Sequence, residues 1–190
     1  VAGRHTHPVG MAPGGFSFVP DVSLLASFRE RLRQGLEDLK ETVRLFEGIR
    51  LPVLSRETEY VSLKHPDHYA FYDGDLYSSE GKTVPVRLYR ENIRERVEPH
   101  STAKYAEWHR PEYMVGALSR FNNNHDQLSP LAGKAAAELG LKPTCVNPFQ
   151  IVLAQIVECV HCVEESLTLI DRIADNDTAS CRTPSDLTPE

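Results

Sequence analysis

Apolar residues recur every three or four positions between residues 22 and 48. They are Leu25, Phe28, Leu32, Leu36, Leu39, Val43 and Phe46. This spacing places them on one face of an α-helix, with charged residues on the other face. Asp21 is suited to cap the start of this helix, while Gly48 and Pro52 are suited to end it. The pattern therefore predicts one long amphipathic helix within residues 21–50.

A second stripe with the same spacing predicts another long helix, within residues 147–175. Its apolar positions are Phe149, Val152, Ile156, Val160, Val163, Leu167, Ile170 and Ala174. Asn147 and Pro148 are typical of a helix start. Both stripes have a near-heptad repeat, which favours antiparallel packing of the two helices in a bundle.

The pattern changes between residues 58 and 99, where β-branched and aromatic residues alternate with turn residues. Asp73-Gly74 and Glu80-Gly81 lie between apolar runs and favour hairpins. Pro85 cannot donate a backbone hydrogen bond, which favours an edge strand for its run. This segment predicts a small antiparallel β meander.

The resulting fold class is α+β and mainly α, with two long antiparallel core helices, shorter helices and a small β insertion. Within residues 100–145, a short helix is expected near 113–121, and a second is expected to begin at Ser129-Pro130 and to end at Gly140. Residues 1–190 are predicted to form a single fragment of a larger subunit. Its predicted segments are a Gly/Pro loop at 1–20, a long helix at 21–50, a β insertion at 58–99, loops and short helices at 100–145, a long helix at 147–175 and a linker-like tail at 176–190.

Composition excludes several classes of function. The net charge of −6 argues against a dedicated nucleic-acid-binding protein. No apolar run is long enough to predict a transmembrane helix, so no membrane association is expected. Four cysteines in 190 residues are too few for a disulfide scaffold. We therefore expect a reducing, cytoplasmic location. The absence of an initial Met and the polar, Pro-containing C-terminus suggest a chain cut from a longer one.

The most prominent chemical motif is the C-x-x-C formed by Cys159 and Cys162. This spacing is found in redox dithiols and zinc sites, but reactive pairs usually lie at a helix N-terminus. Here the pair lies well inside the second long helix, and His161 between the two cysteines is expected to point elsewhere. A structural role on the core or flank of the helix is favoured over a metal-binding module of Cys159, Cys162 and His161.

The remaining polar motifs are weaker. His5 and His7 form an H-x-H pair in a loop without nearby carboxylates, and His125-Asp126 is expected to have a loop or capping role. The sequence contains neither a phosphate-binding loop nor a dinucleotide or nucleophile-elbow motif. Residue patterns alone therefore predict an α+β domain without a self-contained active site.

Four segments, in order, resemble the middle of a nickel–iron hydrogenase large (alpha) subunit of the soluble cytoplasmic type. They are GRHTHPVGMAPGG at 3–15, HSTAKY at 100–105, YMVGALSRFNNNHDQLSPLAGKAAAELGLKP at 113–143 and NPFQIVLAQIVECVHCVEESLTLI at 147–170. They are similar to that family's G-R-x-x-H-P…P-G-G loop, its H-S-x-A-K-F/Y segment, its Y-x-V-G-x-L-A-R-x-N stretch and its N-P-F…A-R-x-I-E helix. The resemblance extends over nearly the whole chain.

The departures from the family are equally informative. The two C-x-x-C pairs that hold the nickel–iron centre in that family, in R-x-C-G-x-C and D-P-C-x-x-C motifs, are both absent. The resemblance places Cys159 and Cys162 on a scaffold helix and gives them no ligand role. It implies a parent enzyme that reversibly oxidises H2 to protons and electrons, and a central scaffold fragment that is inactive alone, with neither catalytic residues nor metal ligands.

The resemblance also implies partners and positions. A small subunit carrying iron–sulfur clusters, and further subunits for soluble electron carriers, would accompany the parent subunit. His7, with Pro8, Gly14 and Gly15, matches a loop near the small-subunit interface, where His7 would point toward an iron–sulfur cluster and Arg4 would support the loop. Five positions match the Y-x-V-G-x-L-A-R-x-N stretch and imply packing roles: Val115, Gly116, Leu118, Arg120 and Asn122. Arg120 is also a candidate for a buried charge pair.

The main alternative is a non-catalytic helical scaffold or assembly domain, a hydrogenase-like homologue without the metal centre. The fragment is also expected to self-associate, because part of its apolar helix stripe would lack its native cover. The sequence does not identify the electron acceptor or the roles of Cys145 and Cys181.

Overall fold

A computed structural model describes residues 11–12, 15–16, 22–110 and 112–175. The chain divides into two compact units. The first comprises Val1–Asp38 and Cys162–Glu190, and the second comprises Leu39–His161. Two long helices contribute residues to both units: α1 spans Val22–Glu47 and α5 spans Ile151–Asp175. Both therefore confirm the long helices predicted from apolar periodicity.

In the first unit, the beginning of α1 is joined to the end of α5. The Arg29 guanidinium lies 2.8 Å from a carboxylate oxygen of Asp171. Leu25 and Ile170 are buried in this unit. Contact between opposite ends of the two helices is what antiparallel packing requires. Two short strands, β1 (Met11–Ala12) and β2 (Gly15–Phe16), pair antiparallel within the segment predicted as a loop.

The second unit contains a four-stranded sheet. It comprises β3 (Glu59–Lys64), β4 (Asp75–Ser78), β5 (Thr83–Val84) and β8 (Tyr113–Met114), in the order β5-β4-β3-β8. The pairs β3–β4 and β4–β5 are antiparallel, as predicted. The β8 strand pairs parallel with β3 and lies outside the predicted insertion. The sheet is therefore mixed, because a short strand after residue 110 returns to the outer edge of β3.

The two predicted turn dipeptides have different roles. Glu80-Gly81 lies in the tight turn between β4 and β5, where Gly81 has φ +87°. Asp73-Gly74 was expected to form a hairpin turn by itself, and this was wrong. Lys64 pairs with Asp75, so a loop of residues 65–74 connects β3 to β4, with Asp73-Gly74 at its closing end.

The segment after Pro85 also differs from the prediction. β5 is an edge strand, but it ends at Val84, because Pro85 has no N–H to continue the ladder. A 3-10 helix at Val86–Leu88 and the short helix α2 (Tyr89–Asn92) follow. A separate antiparallel hairpin pairs β6 (Arg94–Val97) with β7 (Lys104–Glu107), so strand structure continues beyond residue 99.

Two further helices complete the second unit. The helix expected near 113–121 begins later, as α3 (Ala117–Asn124), because β8 and the left-handed Gly116 (φ 92°) precede it. α4 (Pro130–Glu138) begins at Pro130 as predicted, and 3-10 helices occupy His125–Gln127 and Pro148–Gln150. The Asn147 side chain accepts a hydrogen bond from the N–H of Phe149, which confirms its capping role.

The core of the second unit lies between β3, α3, α4 and α5. Leu118, Ala132, Ala154 and Val157 are fully buried there. Phe149 and Val152, predicted on the core stripe, are instead exposed. In the first turns of α5 the buried apolar residues are Leu153, Ala154, Ile156 and Val157. The fold is α+β and mainly α, as predicted. Within the described ranges, no helix has the combination of length and apolar character that crossing a membrane requires.

Candidate functional site

A buried ion pair between α3 and α5 is the centre of the polar core. Arg120 donates from Nε to one carboxylate oxygen of Glu158 at 2.7 Å, and from Nη2 to the other at 2.8 Å. Glu158 is buried, whereas the Arg120 side chain is 30% exposed. Two parallel N–H···O bonds match the planar fork of guanidinium to carboxylate. Arg120 therefore forms the buried charge pair for which it was a candidate.

The β3–β4 loop closes over this ion pair. The hydroxyl of Tyr69, a buried residue of the loop, donates to Glu158 at 2.9 Å. The guanidinium carbon of Arg120 lies 5.4 Å from the ring centroid of Phe71, within cation–π range. Glu158 thus accepts three hydrogen bonds, and the loop is fixed to both helices. The arrangement is suited to holding three elements together.

His161 extends the same network toward the start of α4. It is buried, and its ring lies 5.0 Å from that of Tyr69. Its Nδ1 accepts a hydrogen bond from the N–H of Ser129 at 3.0 Å and also lies 3.1 Å from the Ser129 hydroxyl. Ser129 was predicted to cap α4, but its side chain makes no capping bond and contacts His161 instead.

Three consecutive asparagines of α3 fix the segments around it. Asn122 exchanges two hydrogen bonds with the backbone of Cys145, at 2.9 and 3.0 Å. Asn123 donates to the carbonyl of Tyr60 at 3.2 Å, and Asn124 donates to the carbonyl of Leu63 at 3.0 Å. Asn122 is the asparagine that matches the family stretch, and its role is to hold the segment that leads into α5. Leu118, matched in the same stretch, is fully buried, while Val115 is exposed.

Cys145 is a half-buried thiol at this junction. Its Sγ lies 2.8 Å from the Oε1 of Gln150. Burial raises the pKa of the Cys145 thiol above its ordinary value, although a hydrogen bond with the Asn147 backbone partly opposes this. Burial likewise raises the pKa of Tyr60, and the nearby Cys145 adds to that shift. A thiol with a raised pKa is a poor nucleophile, which favours a packing role.

Cys159 and Cys162 are both exposed on α5. The interpretation of this pair as a core feature is therefore wrong, whereas a position on the flank of the helix fits. The buried residue in this stretch is His161, whose Nδ1 is engaged by Ser129. The stripe residues Ile156 and Val160 are buried next to the pair, whereas neither cysteine belongs to the stripe. Nothing in this arrangement supports a Cys/His metal-binding module.

Several predicted positions lie outside the described residues. They are His5 and His7, together with Arg4, Pro8, Gly14 and Cys181. The prediction that His7 points toward an iron–sulfur cluster therefore stays a prediction. His125 and Asp126 lie on a 3-10 helix, and the His125 Nε2 lies 3.0 Å from a carboxylate oxygen of Asp126.

The structure also shows two groups of side chains that sequence reasoning missed. Among the described residues, the ligand atoms of Glu59, Glu80 and His109 lie within 4.8 Å of one another, and so do those of His65, His68 and Asp73. In the first group, Glu59 is fully buried and accepts from the Ser78 hydroxyl at 2.6 Å, and Glu80 pairs with Arg110. Both carboxylates of this group therefore already have hydrogen-bond or ion-pair partners within the chain. In the second, the His-x-x-His spacing was a signal that the sequence contained.

The described residues do not fit a nickel–iron centre. In the family that the chain resembles, such a centre requires four converging thiolates, and this sequence lacks both motifs that supply them. Of the described cysteines, Cys145 is held by Gln150 and Cys159 is exposed. No step of hydrogen chemistry can therefore be derived from these side chains.

Comparison with known proteins supports the resemblance seen in the sequence. No protein-family model matches the chain. The chain is 33% identical over 173 residues to a curated protein, Sulfhydrogenase 1 subunit alpha of Pyrococcus furiosus. The match covers 88% of this chain, and the chain spans 40% of the length of that relative. The chain is thus homologous to a hydrogenase-type alpha subunit over most of its own length.

Proposed function

We propose that this chain, as a homologue of a hydrogenase alpha subunit, forms the central scaffold of a nickel–iron hydrogenase large subunit. The parent enzyme would oxidise H2 reversibly to protons and electrons and would pass the electrons to a small subunit with iron–sulfur clusters. The observation that carries the proposal is the 33% identity over 88% of the chain. The fragment alone would be inactive, because the thiolates of the metal centre are absent from it.

The polar core supports a scaffold role for this region. Arg120 and Glu158 lie in two of the four stretches that resemble the family, and they form a bidentate ion pair. Such a pair fixes the distance and rotation of α3 relative to α5 more specifically than apolar contacts do. A subunit that must hold a metal centre in place needs rigid supports of this kind.

Exposed apolar side chains on the long helices also support the proposal. Leu45 is 65% exposed on α1, and Leu169 and Ile173 are about half exposed on α5. Leu169 and Ile173 lie four residues apart and therefore on the same face of α5, and adjacent exposed apolar side chains favour contact with another protein surface. In the proposed subunit they would face polypeptide that precedes or follows residues 1–190, or the small subunit.

The coding sequence on either side of residues 1–190 provides the first test. An R-x-C-G-x-C motif upstream and a D-P-C-x-x-C motif downstream, in the same reading frame, are expected. Flanks that encode other domains without either motif would contradict the proposal and would favour the non-catalytic scaffold.

The second test is biochemical. The polypeptide purified from its natural source is expected to contain nickel and to reduce an artificial viologen acceptor with H2. The 190-residue chain expressed alone is expected to contain no nickel and to be inactive. Nickel in stoichiometric amount in the isolated chain, lost in a Cys159→Ala, Cys162→Ala double variant, would contradict the scaffold assignment.

A further inference from the structure

The loop of residues 65–74 combines three metal-ligating side chains on one rigid element. His65 follows the end of β3, His68 lies three residues later, and Asp73 precedes the start of β4. The candidate ligand atoms of the three side chains all lie within 4.8 Å of one another. Two imidazoles and one carboxylate, separated by two and four residues, form a donor set that suits Zn²⁺.

One nitrogen in this group is available to bind a metal ion. The Nε2 atom of His68 is inaccessible to solvent and has no hydrogen-bond partner among the described residues. A buried imidazole nitrogen without a partner costs free energy, and a bound water or ion can satisfy it. The His65 ring stacks on that of His68, with centroids 3.8 Å apart and ring planes 22° apart, so one ring must rotate before both can direct a nitrogen at the same ion.

The loop is held at its centre and at its closing end, so its backbone is fixed before a metal arrives. At its centre, Tyr69 and Ala70 are buried, and Tyr69 is bonded to Glu158 of α5. At its closing end, Gly74 packs so closely on Lys64 that an added Cβ would lie 2.6 Å from the Lys64 carbonyl oxygen. A preorganised loop binds a metal ion without the cost of ordering it.

We propose that His65, His68 and Asp73 form a binding site for a divalent zinc-class ion, with water completing the coordination. This site is independent of the nickel–iron centre and departs from the expectation that the chain holds no metal ligands. Metal binding requires one imidazole ring to rotate out of the stack. The His65 Nδ1 accepts from the N–H of Asp67 at 3.1 Å, and that bond would be lost where Nδ1 is the atom that binds the metal. Because Asp67 is exposed, water can replace the partner of this N–H.

The test is a titration of the metal-free chain with Zn²⁺ by calorimetry, and with Co²⁺ by visible absorption. One equivalent is expected to bind, with the absorption of a tetrahedral or five-coordinate Co²⁺ complex. His68→Ala and Asp73→Asn are each expected to weaken the affinity by at least about ten-fold, the scale seen when metal-site partners are lost. Asp73→Asn keeps the oxygen that accepts from Gly74, so its effect reports the charge.

The matched control is His100→Ala, because His100 is an exposed histidine of the same unit outside the group. Its affinity and Co²⁺ spectrum are expected to match those of the parent chain. Melting curves without metal show that each variant is folded, and Zn²⁺ is expected to raise the melting temperature of the parent chain but not that of His65→Ala, His68→Ala. Equal Zn²⁺ affinity in the parent and this double variant would overturn the site, as would the absence of stoichiometric binding. Neither result would affect the proposed hydrogenase scaffold.

Discussion

At the residue scale, the most consequential feature is the Arg120–Glu158 pair. Removing one partner of a buried pair leaves an uncompensated charge, which typically costs about 3–5 kcal/mol. Since Arg120 is partly exposed, we expect Arg120→Met to lower the free energy of unfolding by about 3 kcal/mol, at the low end of that range. Urea denaturation monitored by circular dichroism would measure it.

Arg44→Met is the matched control for this prediction. Arg44 pairs with Glu41 on α1, but both side chains are more than 60% exposed. Surface pairs contribute little, so the control is expected to change the free energy of unfolding by less than about 1 kcal/mol. The double variant Arg120→Met, Glu158→Met is expected to recover part of the loss, because no buried charge remains. Equal losses for Arg120→Met and Arg44→Met would show that the pair is not a support of the fold.

Cys145 makes stability depend on pH in the alkaline range. Burial raises the pKa of its thiol in the folded state. As the pH rises, the unfolded thiol therefore loses its proton first, and the unfolded state binds fewer protons than the folded state. Stability then falls with increasing pH from the unfolded thiol pKa upward. We expect the parent chain to lose stability more steeply than Cys145→Ala in urea denaturation between neutral and alkaline pH. Parallel curves for the two chains would refute this.

At the element scale, the β3–β4 loop depends on Gly74. Its φ of +131° is unfavourable for residues with a side chain, and a Cβ would clash with the Lys64 backbone. Gly74→Ala is therefore expected to destabilise the second unit by at least about 2 kcal/mol, combining backbone strain with a steric shift. Differential scanning calorimetry would report the loss as a lower melting temperature.

Variants of two other glycines distinguish the cost of a positive φ from the cost of the clash with Lys64. Gly81 also has positive φ, but an added Cβ would meet nothing within 4 Å, so Gly81→Ala is expected to cost only about 1 kcal/mol. Gly35 lies inside α1 with open space around it, so Gly35→Ala is expected to stabilise by about 0.5–1 kcal/mol. A Gly74 variant no less stable than the Gly81 variant would show that the close approach to Lys64 has no energetic role.

The same elements show how much the sequence could predict. The long helices were predictable because a stripe of apolar residues repeats over many turns. β8 was not, because a two-residue parallel strand has no periodicity of its own and exists only through pairing with β3. His161 and Asp73 show the limit for sites. The role of His161 depends on Ser129, which lies at the start of another helix, and the role of Asp73 depends on His65 at the other end of a ten-residue loop. No local sequence pattern encodes such proximity.

At the scale of the whole molecule, the second unit carries an uncovered apolar surface, defined by Val53, Leu54, Val146 and Phe149. Val53 is 97% exposed, and the others are exposed by between about a third and a half. Hydrogen bonds from Asn147 to the Pro52 carbonyl and from Arg56 to the Val146 carbonyl hold the two segments together. The surface is therefore a fixed feature of the fold.

A fixed apolar surface of this kind favours association with other protein surfaces. We expect the isolated 190-residue chain to self-associate with increasing concentration in sedimentation velocity, because copies bury this surface against one another. Val53→Ser, Phe149→Ser is expected to shift the chain toward monomer. Tyr72→Ser, at a residue of the same unit that is 88% exposed but lies on the β3–β4 loop, is expected to leave association unchanged. A monomeric parent chain, or equal association in the double variant and the Tyr72 control, would show that this surface does not bind protein.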